Sequence, residues 1–209
     1  MALDPDRPMY RWRELTAEQR DELLHFRRVN RLPWHSLPHY EAECACYLIT
    51  AACYEHRSFL IASDGRIAEF EVELVETIRL RAIALFAWIV LPNHYHVLVQ
   101  TPSVKGLLAD LGRLHGRTSY RWNGEDGQRS RKNWCNAAET AMKSEGHFWA
   151  SLNYVLHNAV RHGYVDQWQQ WPYSNARQYL EQVGRETAER RWRAYPIFDY
   201  GATWDPPEL

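Results

Sequence analysis

Two histidines separated by a single residue, His94 and His96, are the side chains whose type and spacing indicate chemistry most directly. They follow a Pro-Asn turn and begin a run of alternating residues that reaches Gln100, which is the pattern of a β-strand. Because side chains two apart on a strand leave the same face, both imidazoles point one way and Tyr95 points the other. Two imidazoles on a rigid strand form half of a divalent-metal site, although an inert surface pair fits the pattern equally well.

A helix further along the chain carries the groups that such a half-site lacks. It is predicted to begin at Ser144 as N-cap and to end before Gly163. Tyr154 and Asn158 are four residues apart, so they share a face, which the helical wheel places on the polar side, opposite the apolar stripe. The alternative interpretation is a half-exposed aromatic and a solvated amide on an amphipathic helix.

These four side chains together allow phosphoryl chemistry if the helix crosses the strand. A divalent cation can take imidazole nitrogens from His94 and His96 and an amide oxygen from Asn158, with positions left open for a substrate. It would then polarise a phosphate oxygen as a Lewis acid. The hydroxyl of Tyr154 would attack the phosphorus and form a phosphotyrosine. A phenolate, with a pKa of about 10, leaves such an intermediate more readily than an alkoxide does.

The elements that must position these residues are predicted in the order β-α-β-β-α-β, followed by the Tyr154 helix. This order indicates an α+β domain with a ferredoxin-like or RRM-like four-stranded antiparallel sheet, helices on one face and an added C-terminal helix. The first and third strands are neighbours in the middle of such a sheet. The predicted strands are 44–54, 81–91, His94–Thr101 and 133–142, and the predicted helices are 16–26, one that opens at 64–65, 104–121, 144–163 and 174–183.

Length and composition fit one globular domain with extensions. The chain has 209 residues, of which 45% are hydrophobic and 24% are charged. We predict an N-terminal extension over residues 1–40, a central domain over 41–165 and a C-terminal tail over 166–209. The 10 Trp and 12 Tyr residues are numerous, and such side chains serve either as core or as stacking platforms for nucleobases. The tail is therefore expected either to pack on the domain or to contact DNA.

The net charge and its distribution bear on nucleic-acid binding. A formal net charge of −1 argues against a wholesale polyanion binder of the histone kind. Basic residues nevertheless exceed acidic ones between residues 105 and 132, and three arginines there step by four along one helix face without acids at matching positions. A solvated charged face is the alternative to phosphate contacts. The predicted DNA-binding residues are Arg113, Arg117, Arg121, Arg129, Arg131 and Lys132.

Cysteine usage and hydropathy predict a soluble cytoplasmic protein. The four cysteines, Cys44, Cys46, Cys53 and Cys135, show no CxxC spacing and are expected to be reduced. The N-terminus lacks the basic-then-apolar pattern of a secretory leader. The longest apolar run, residues 82–92, is too short to span a bilayer, so no membrane association is expected.

Several motifs together resemble those of the single-tyrosine transposases. Residues 88–99, Trp-Ile-Val-Leu-Pro-Asn-His-Tyr-His-Val-Leu-Val, resemble their HUH motif, in which a hydrophobic residue separates two histidines. Residues 151–165, followed by Trp-Pro-Tyr-Ser at 171–174, are similar to their catalytic helix and its trailing motif. Two shorter motifs match in order along the chain, namely Tyr-Leu-Ile-Thr at 47–50 and Leu-His-Gly-Arg at 114–117.

This resemblance covers about residues 40–180 and is greatest to the REP-associated tyrosine transposase branch. It implies that His94 and His96 are the HUH histidines, that Tyr154 is the nucleophile, and that Asn158 is the third metal ligand. The implied cofactor is Mg²⁺ or Mn²⁺. The implied reaction is cleavage of single-stranded DNA near a hairpin, which leaves a 5′-phosphotyrosine and a free 3′-OH. The family also implies a monomer or homodimer that acts on repeated palindromic elements of bacterial chromosomes, in the cytoplasm and associated with the nucleoid.

Two other functions stay open from the sequence. A zinc protein can be built from Cys44, Cys46, His94 and His96 if neighbouring strands bring them together, although Cys-x-Cys on a strand chelates zinc poorly beside a CxxC knuckle. A non-catalytic module can recognise RNA or DNA hairpins on an RRM-like sheet. Tightly bound, stoichiometric zinc would favour the first function, and hairpin binding without a covalent adduct would favour the second.

Overall fold

The structure, a computed structural model, describes residue 16 and residues 45–197. The predicted extension over 1–40 and its helix at 16–26 therefore lie outside the described residues, apart from Thr16. The same holds for Cys44 and for residues 198–209 of the tail. The domain boundaries at residues 40 and 165 stay predictions.

The sheet has the predicted ferredoxin-like plan. Its strands are β1 (Ala45–Ala52), β2 (Ala84–Val90), β3 (His94–Thr101) and β4 (Ala138–Ala141), all antiparallel, in the order β2-β3-β1-β4. The first and third strands thus lie side by side in mid-sheet, as expected. The prediction of a fourth strand over 133–142 is wrong in length, because Trp134 makes only an isolated bridge with Cys53 before the short β4 ladder begins.

One face of the sheet packs against two helices, α1 (Arg66–Arg79) and α2 (Val104–Glu125). The core between them is apolar and aromatic, and its strand residues include Tyr95, Val97 and Val99 of β3. Helix α2 continues to Glu125, so its predicted end at residue 121 is wrong. Buried Asn123 explains the difference, because its side-chain amide donates to the carbonyl of Arg131 at 2.7 Å and fastens the following segment to the helix.

Helix α3 (Glu145–Arg161) crosses the opposite face of the sheet. Its start is capped as predicted, since the hydroxyl of Ser144 accepts from the amide of His147 at 3.1 Å. Gly163 follows the helix end with φ +70°, a conformation that glycine adopts without steric cost. The chain then turns back over the outside of α3.

The assignment of Tyr154 and Asn158 to a polar, outward side of α3 is wrong. Both side chains are fully buried and face the sheet. Two further helices, α4 (Ala176–Val183) and α5 (Arg185–Ala194), pack with the apolar stripe of α3 and form a core with it. Helix α3 is therefore buried on two sides, a state in which its apolar stripe does not mark the sheet-facing side.

The Trp-Pro-Tyr-Ser segment protects the edge strand β2. The side-chain amide of Asn175 accepts from the backbone N–H of Trp88 at 3.0 Å and donates to the carbonyl of Phe86 at 3.0 Å. The amide of Val90 donates to the carbonyl of Tyr173 at 2.8 Å. These bonds satisfy backbone groups that an open sheet edge would leave exposed. Within the described residues, no helix is both long and apolar enough to cross a membrane.

Candidate metal and nucleophile site

The two histidines lie at the start of β3, on the face covered by α3. His94 is 3% exposed and His96 is fully buried, with their ring centroids 5.0 Å apart. The register sets His94 opposite Ala52 and His96 opposite Thr50 in β1. The strand alternation is as predicted, because the intervening Tyr95 is buried in the core on the other face.

A neighbouring oxygen fixes the orientation of each imidazole. His94 Nδ1 lies 2.7 Å from Asn93 Oδ1, and the Asn93 amide nitrogen donates to the carbonyl of His56 at 3.1 Å. The second bond orients the Asn93 amide, so Oδ1 accepts a hydrogen bond from the Nδ1–H of His94. His96 Nδ1 lies 2.8 Å from the hydroxyl oxygen of Thr50. In both rings Nε2 is then the atom that faces α3, which is the arrangement typical of metal-binding histidines.

Helix α3 brings an amide and a phenol to those Nε2 atoms. Asn158 Oδ1 lies 3.1 Å from His94 Nε2, and the Tyr154 hydroxyl lies 3.4 Å from His96 Nε2. The spacing of four residues places both groups on the same side of α3, one helical turn apart. Four side chains singled out from the sequence thus converge within one buried cluster.

The donor atoms of this cluster fit a divalent cation of the Mg²⁺ or Mn²⁺ class. His94 Nε2 and Asn158 Oδ1 lie 3.1 Å apart inside the cluster. Two imidazole nitrogens and an amide oxygen leave coordination positions for water and phosphate. Among the described residues no group of three or more His, Cys, Asp or Glu is suited to hold a metal, so a cation here depends on the amide.

Sequence reasoning did not single out several residues around this cluster. The guanidinium carbon of Arg161 lies 5.9 Å from the ring centroid of Tyr154, and the ring of His162 lies 5.1 Å from that of His94. A helical-spacing signal was present, since Arg161 follows Tyr154 by seven residues and His162 follows Asn158 by four. Thr50 and Asn93 gave a weaker signal, as polar residues beside apolar strands.

The basic residues of α2 do not form the acid-free row that the sequence suggested. Arg113 pairs with Asp110, and Arg121 pairs with Glu73 at 2.6 Å. The premise of three arginines without acidic partners is therefore wrong for two of them. Arg117 is exposed and makes no ion pair with any residue in 45–197.

Arg131 and Lys132 point in different directions. Arg131 donates to Asp126 at 2.6 Å, and buried Arg66 bonds to the same carboxylate. The hydrogen bond from Arg66, followed by the one from Arg131, lowers the pKa of Asp126 to about 2. Lys132 is exposed, with its ammonium 4.6 Å from the ring centroid of Tyr54.

The zinc alternative built on four sequence residues is wrong. Cys46 lies opposite Gln100, whereas His96 lies opposite Thr50, four residues further along β1. At the strand rise of about 3.3 Å per residue this separates the thiol position from the histidine position by roughly 13 Å. A zinc–sulfur bond of about 2.3 Å is out of reach. Cys44 lies outside the described residues.

The fold has a counterpart among solved structures. The chain matches the structure of a REP-associated tyrosine transposase bound to a REP hairpin, with a TM-score of 0.53 and 21% sequence identity. The match covers 78% of this chain and 88% of that chain. No protein-family model matches the sequence, and no curated protein matches it. At this identity the likeness establishes the α+β ferredoxin-like fold alone.

Proposed function

We propose that this protein is a metal-dependent, single-stranded DNA endonuclease and strand transferase of the REP-associated tyrosine transposase type. The observation that supports it most is the convergence of Tyr154 with His96 at 3.4 Å and of Asn158 with His94 at 3.1 Å. These contacts place a nucleophile, the phenol of Tyr154, in the same cluster as the atoms that would bind a divalent cation. Transposition or recombination of DNA is the process that such a reaction serves.

Tyr154 is the nucleophile in the proposed reaction. Its phenolic oxygen forms a bond to the scissile phosphorus, and the bond from phosphorus to the 3′-oxygen breaks. The phenol loses its proton and the departing 3′-oxygen gains one, so the products are a 5′-phosphotyrosine and a free 3′-OH. When bound by His94, His96 and Asn158, Mg²⁺ or Mn²⁺ supplies Lewis-acid polarisation of the phosphate. Attack of a 3′-OH on the phosphotyrosine reverses the step and rejoins a strand.

The proposed substrate is single-stranded DNA next to a hairpin, of the kind that repeated palindromic elements form in a bacterial nucleoid. The matched structure of the same fold holds a REP hairpin. Arg117 and Lys132 are exposed cations that can contact its phosphates. All four residues of the cluster come from one chain, so a monomer suffices for cleavage, and a homodimer remains compatible with it.

Covalency is the property that tests this proposal. Incubation with an end-labelled hairpin strand and Mn²⁺, followed by a denaturing gel, should show a protein–DNA adduct that Tyr154→Phe abolishes. Tyr164→Phe is the control, because Tyr164 is an exposed tyrosine that follows the end of α3, whereas Tyr154 is buried; this variant should form the adduct normally. An adduct that persists in Tyr154→Phe would refute the nucleophile. Hairpin binding by the wild type without any adduct would establish a non-catalytic binding module instead.

A further inference from the structure

The segment between α2 and β4 is held firmly on the outside of the domain. Gln128 donates its backbone N–H to the carbonyl of Asn123 at 2.9 Å. The amide of Asn123 donates to the carbonyl of Arg131 at 2.7 Å, and the amide of Asn133 donates to Asn123 Oδ1 at 3.0 Å. Because these bonds fix the backbone on both sides of residues 129–132, the directions of the side chains between them are fixed as well.

The cationic side chains of this segment divide into one inward and two outward. Arg131 points inward, with its guanidinium 4.5 Å from the ring centroid of Phe59. Arg129 and Lys132 are exposed, and each lies over a tyrosine ring. The guanidinium of Arg129 is 5.3 Å from the centroid of Tyr120, and the ammonium of Lys132 is 4.6 Å from that of Tyr54. We call these two pairs the cation–aromatic track, which consists of exposed Tyr120, Arg129 and Lys132 and half-buried Tyr54.

One end of the cation–aromatic track adjoins the candidate site. The backbone N–H of Tyr54 donates to the carbonyl of Asn133 at 2.8 Å, which joins the track to the end of β1. The N–H of Cys53 donates to the carbonyl of Asn93 at 2.7 Å. Asn93 in turn holds the ring of His94. A short chain of direct contacts therefore links Tyr54 to the proposed metal ligands.

The turn that carries Tyr54 is held in an unusual conformation. Glu55 and His56 adopt φ values of +59° and +49°, a region that residues other than glycine seldom occupy. The amide of Asn93 donates to the carbonyl of His56 and so fixes the turn against the start of β3. Strained backbone of this kind persists where surrounding contacts hold it, and it is concentrated at functional sites.

Two acidic residues that precede Arg129 in the chain, Glu125 and Asp126, are engaged by other cations. The carboxylates of Glu125 and Asp126 both bond to buried Arg66, and Asp126 also bonds to Arg131. The outward side therefore presents Arg129 and Lys132 together with exposed Arg117, which precedes Tyr120 by three residues on α2. Tyr120 is 75% exposed, so its ring is accessible to a nucleobase.

We infer that the cation–aromatic track binds the single-stranded part of the DNA and leads it to His94 and Tyr154. Proteins hold single strands by combining cations that contact phosphates with aromatic rings on which bases stack. Arg129 and Lys132 supply the cations, and Tyr120 and Tyr54 supply the rings. The inference rests on the proposed function. It keeps Arg129 and Lys132 of the sequence prediction, leaves out the inward-facing Arg131 and adds Tyr54 and Tyr120.

Fluorescence anisotropy with a labelled oligonucleotide, a hairpin followed by a single-stranded flank, tests the track. Tyr120→Ala and Tyr54→Leu should each weaken binding about tenfold, which is within the range for loss of one stacked base. Lys132→Gln should lower the slope of log affinity against log salt by about 0.7, the value for one phosphate contact on a single strand. The tyrosine variants should leave that slope unchanged. Arg177→Gln is the matched control, because Arg177 is an exposed arginine of α4 far along the chain, paired with Glu181.

A substrate that lacks the flank separates this inference from effects on folding. Tyr120→Ala should bind the bare hairpin as the wild type does, and thermal melting of the variant should match that of the wild type. Equal affinity of Tyr120→Ala and wild type for the flanked substrate would overturn the inference that the track binds the single strand. If the wild type still formed its adduct in that case, the proposed nuclease would stand without the track. A wild type that neither binds the strand nor forms an adduct would refute both.

Discussion

The two faces of the sheet put the same strand to different uses. On the side of α1 and α2, β3 contributes Tyr95, Val97 and Val99 to an apolar core. On the side of α3 it contributes His94 and His96, which are just as deeply buried but are hydrogen-bonded. Burying polar groups costs free energy unless partners satisfy them. The α3 face therefore combines a buried polar cluster at the start of β3 with an apolar core that includes Leu98, whereas the opposite face of β3 contributes to an apolar core only.

Histidines on the two faces show the same contrast. His115 of α2 is buried in the apolar core, stacked on Trp134 with centroids 4.4 Å apart, and its Nε2 lies 3.1 Å from the hydroxyl of Tyr95. Burial lowers the pKa of His115 to about 4. This ring serves packing. His94 and His96 instead direct Nε2 toward an amide and a phenol, so environment rather than residue type distinguishes a structural histidine from a proposed ligand.

His96→Ala should have the largest effect of the variants that separate the faces. We expect adduct formation to fall by about a thousandfold, because metal polarisation of the phosphate contributes several kcal/mol to transition-state stabilisation. Hairpin affinity per folded molecule should change little, since the metal serves the reaction step. A time course of adduct formation with Mn²⁺, together with anisotropy, measures both. An unchanged rate would remove His96 from the site.

Val97→Ala is the counterpart on the core face, one residue along the same strand. Removing two buried methyl groups should lower the free energy of unfolding by about 2 kcal/mol. The rate of adduct formation per folded molecule should stay at the wild-type value. Urea denaturation and the same time course test these outcomes together. A loss of rate in a fully folded Val97→Ala would mean that the two faces are not independent.

Asn93→Ala sharpens the comparison by releasing the ring of His94 and the carbonyl of His56 while leaving all three proposed metal ligands in place. Groups that hold metal-binding histidines typically change metal affinity by about tenfold or more when they are removed. The concentration of Mn²⁺ that gives half-maximal adduct should therefore rise about tenfold, with a similar rate at saturating metal. Direct titration of Mn²⁺ by electron paramagnetic resonance gives the affinity without reliance on activity. Identical titration curves for the variant and the wild type would contradict the proposal that Asn93 orients His94 for metal binding.

The smallest expected effect is a pH dependence of stability that comes from His115. Its pKa lies near 4 in the folded protein and near 6.5 as the ordinary value, so below pH 6.5 the unfolded chain takes up the proton more readily. The contribution of neutral His115 is therefore present above pH 6.5 and is lost as the pH falls toward 4. The stability difference between wild type and His115→Gln should shrink over that interval in urea titrations. His157, whose burial also lowers its pKa to about 4, contributes equally to both proteins.

The sequence predicted the placement of the two strand residues of the site more completely than that of the two helix residues. Alternation along β3 was enough to predict that His94 and His96 share a face of the sheet, because residues two apart on a strand always do, whatever packs against them. The position of Tyr154 required knowledge of what lies on the outside of α3. Helices α4 and α5 cover the apolar stripe there, and the second of them was absent from the sequence prediction. The helical wheel therefore predicted correctly that Tyr154 and Asn158 share a face of α3. It predicted wrongly that this face points away from the sheet.

The charged residues show a second limit of sequence reasoning. Spacing along α2 placed Arg113 and Arg121 in one row with Arg117, but the acids that pair with them include Glu73 of a different element. Tertiary partners of this kind leave no mark at helical spacing. In the 129–132 segment, Arg131 and Lys132 are adjacent in sequence, yet Arg131 points inward, where it bonds to Asp126 and contacts the ring of Phe59, and Lys132 is exposed.

Mass spectrometry of the trapped adduct tests the central claim most directly. Trypsin cleavage after Lys143 and Arg161 releases a peptide of residues 144–161 in which Tyr154 is the single tyrosine. After reaction with a hairpin strand and Mn²⁺, followed by nuclease trimming, this peptide should carry a 5′-linked nucleotide on Tyr154. The modification should be absent without metal and in His96→Ala. A nucleotide found on a different residue, or formed equally well in His96→Ala, would contradict the account.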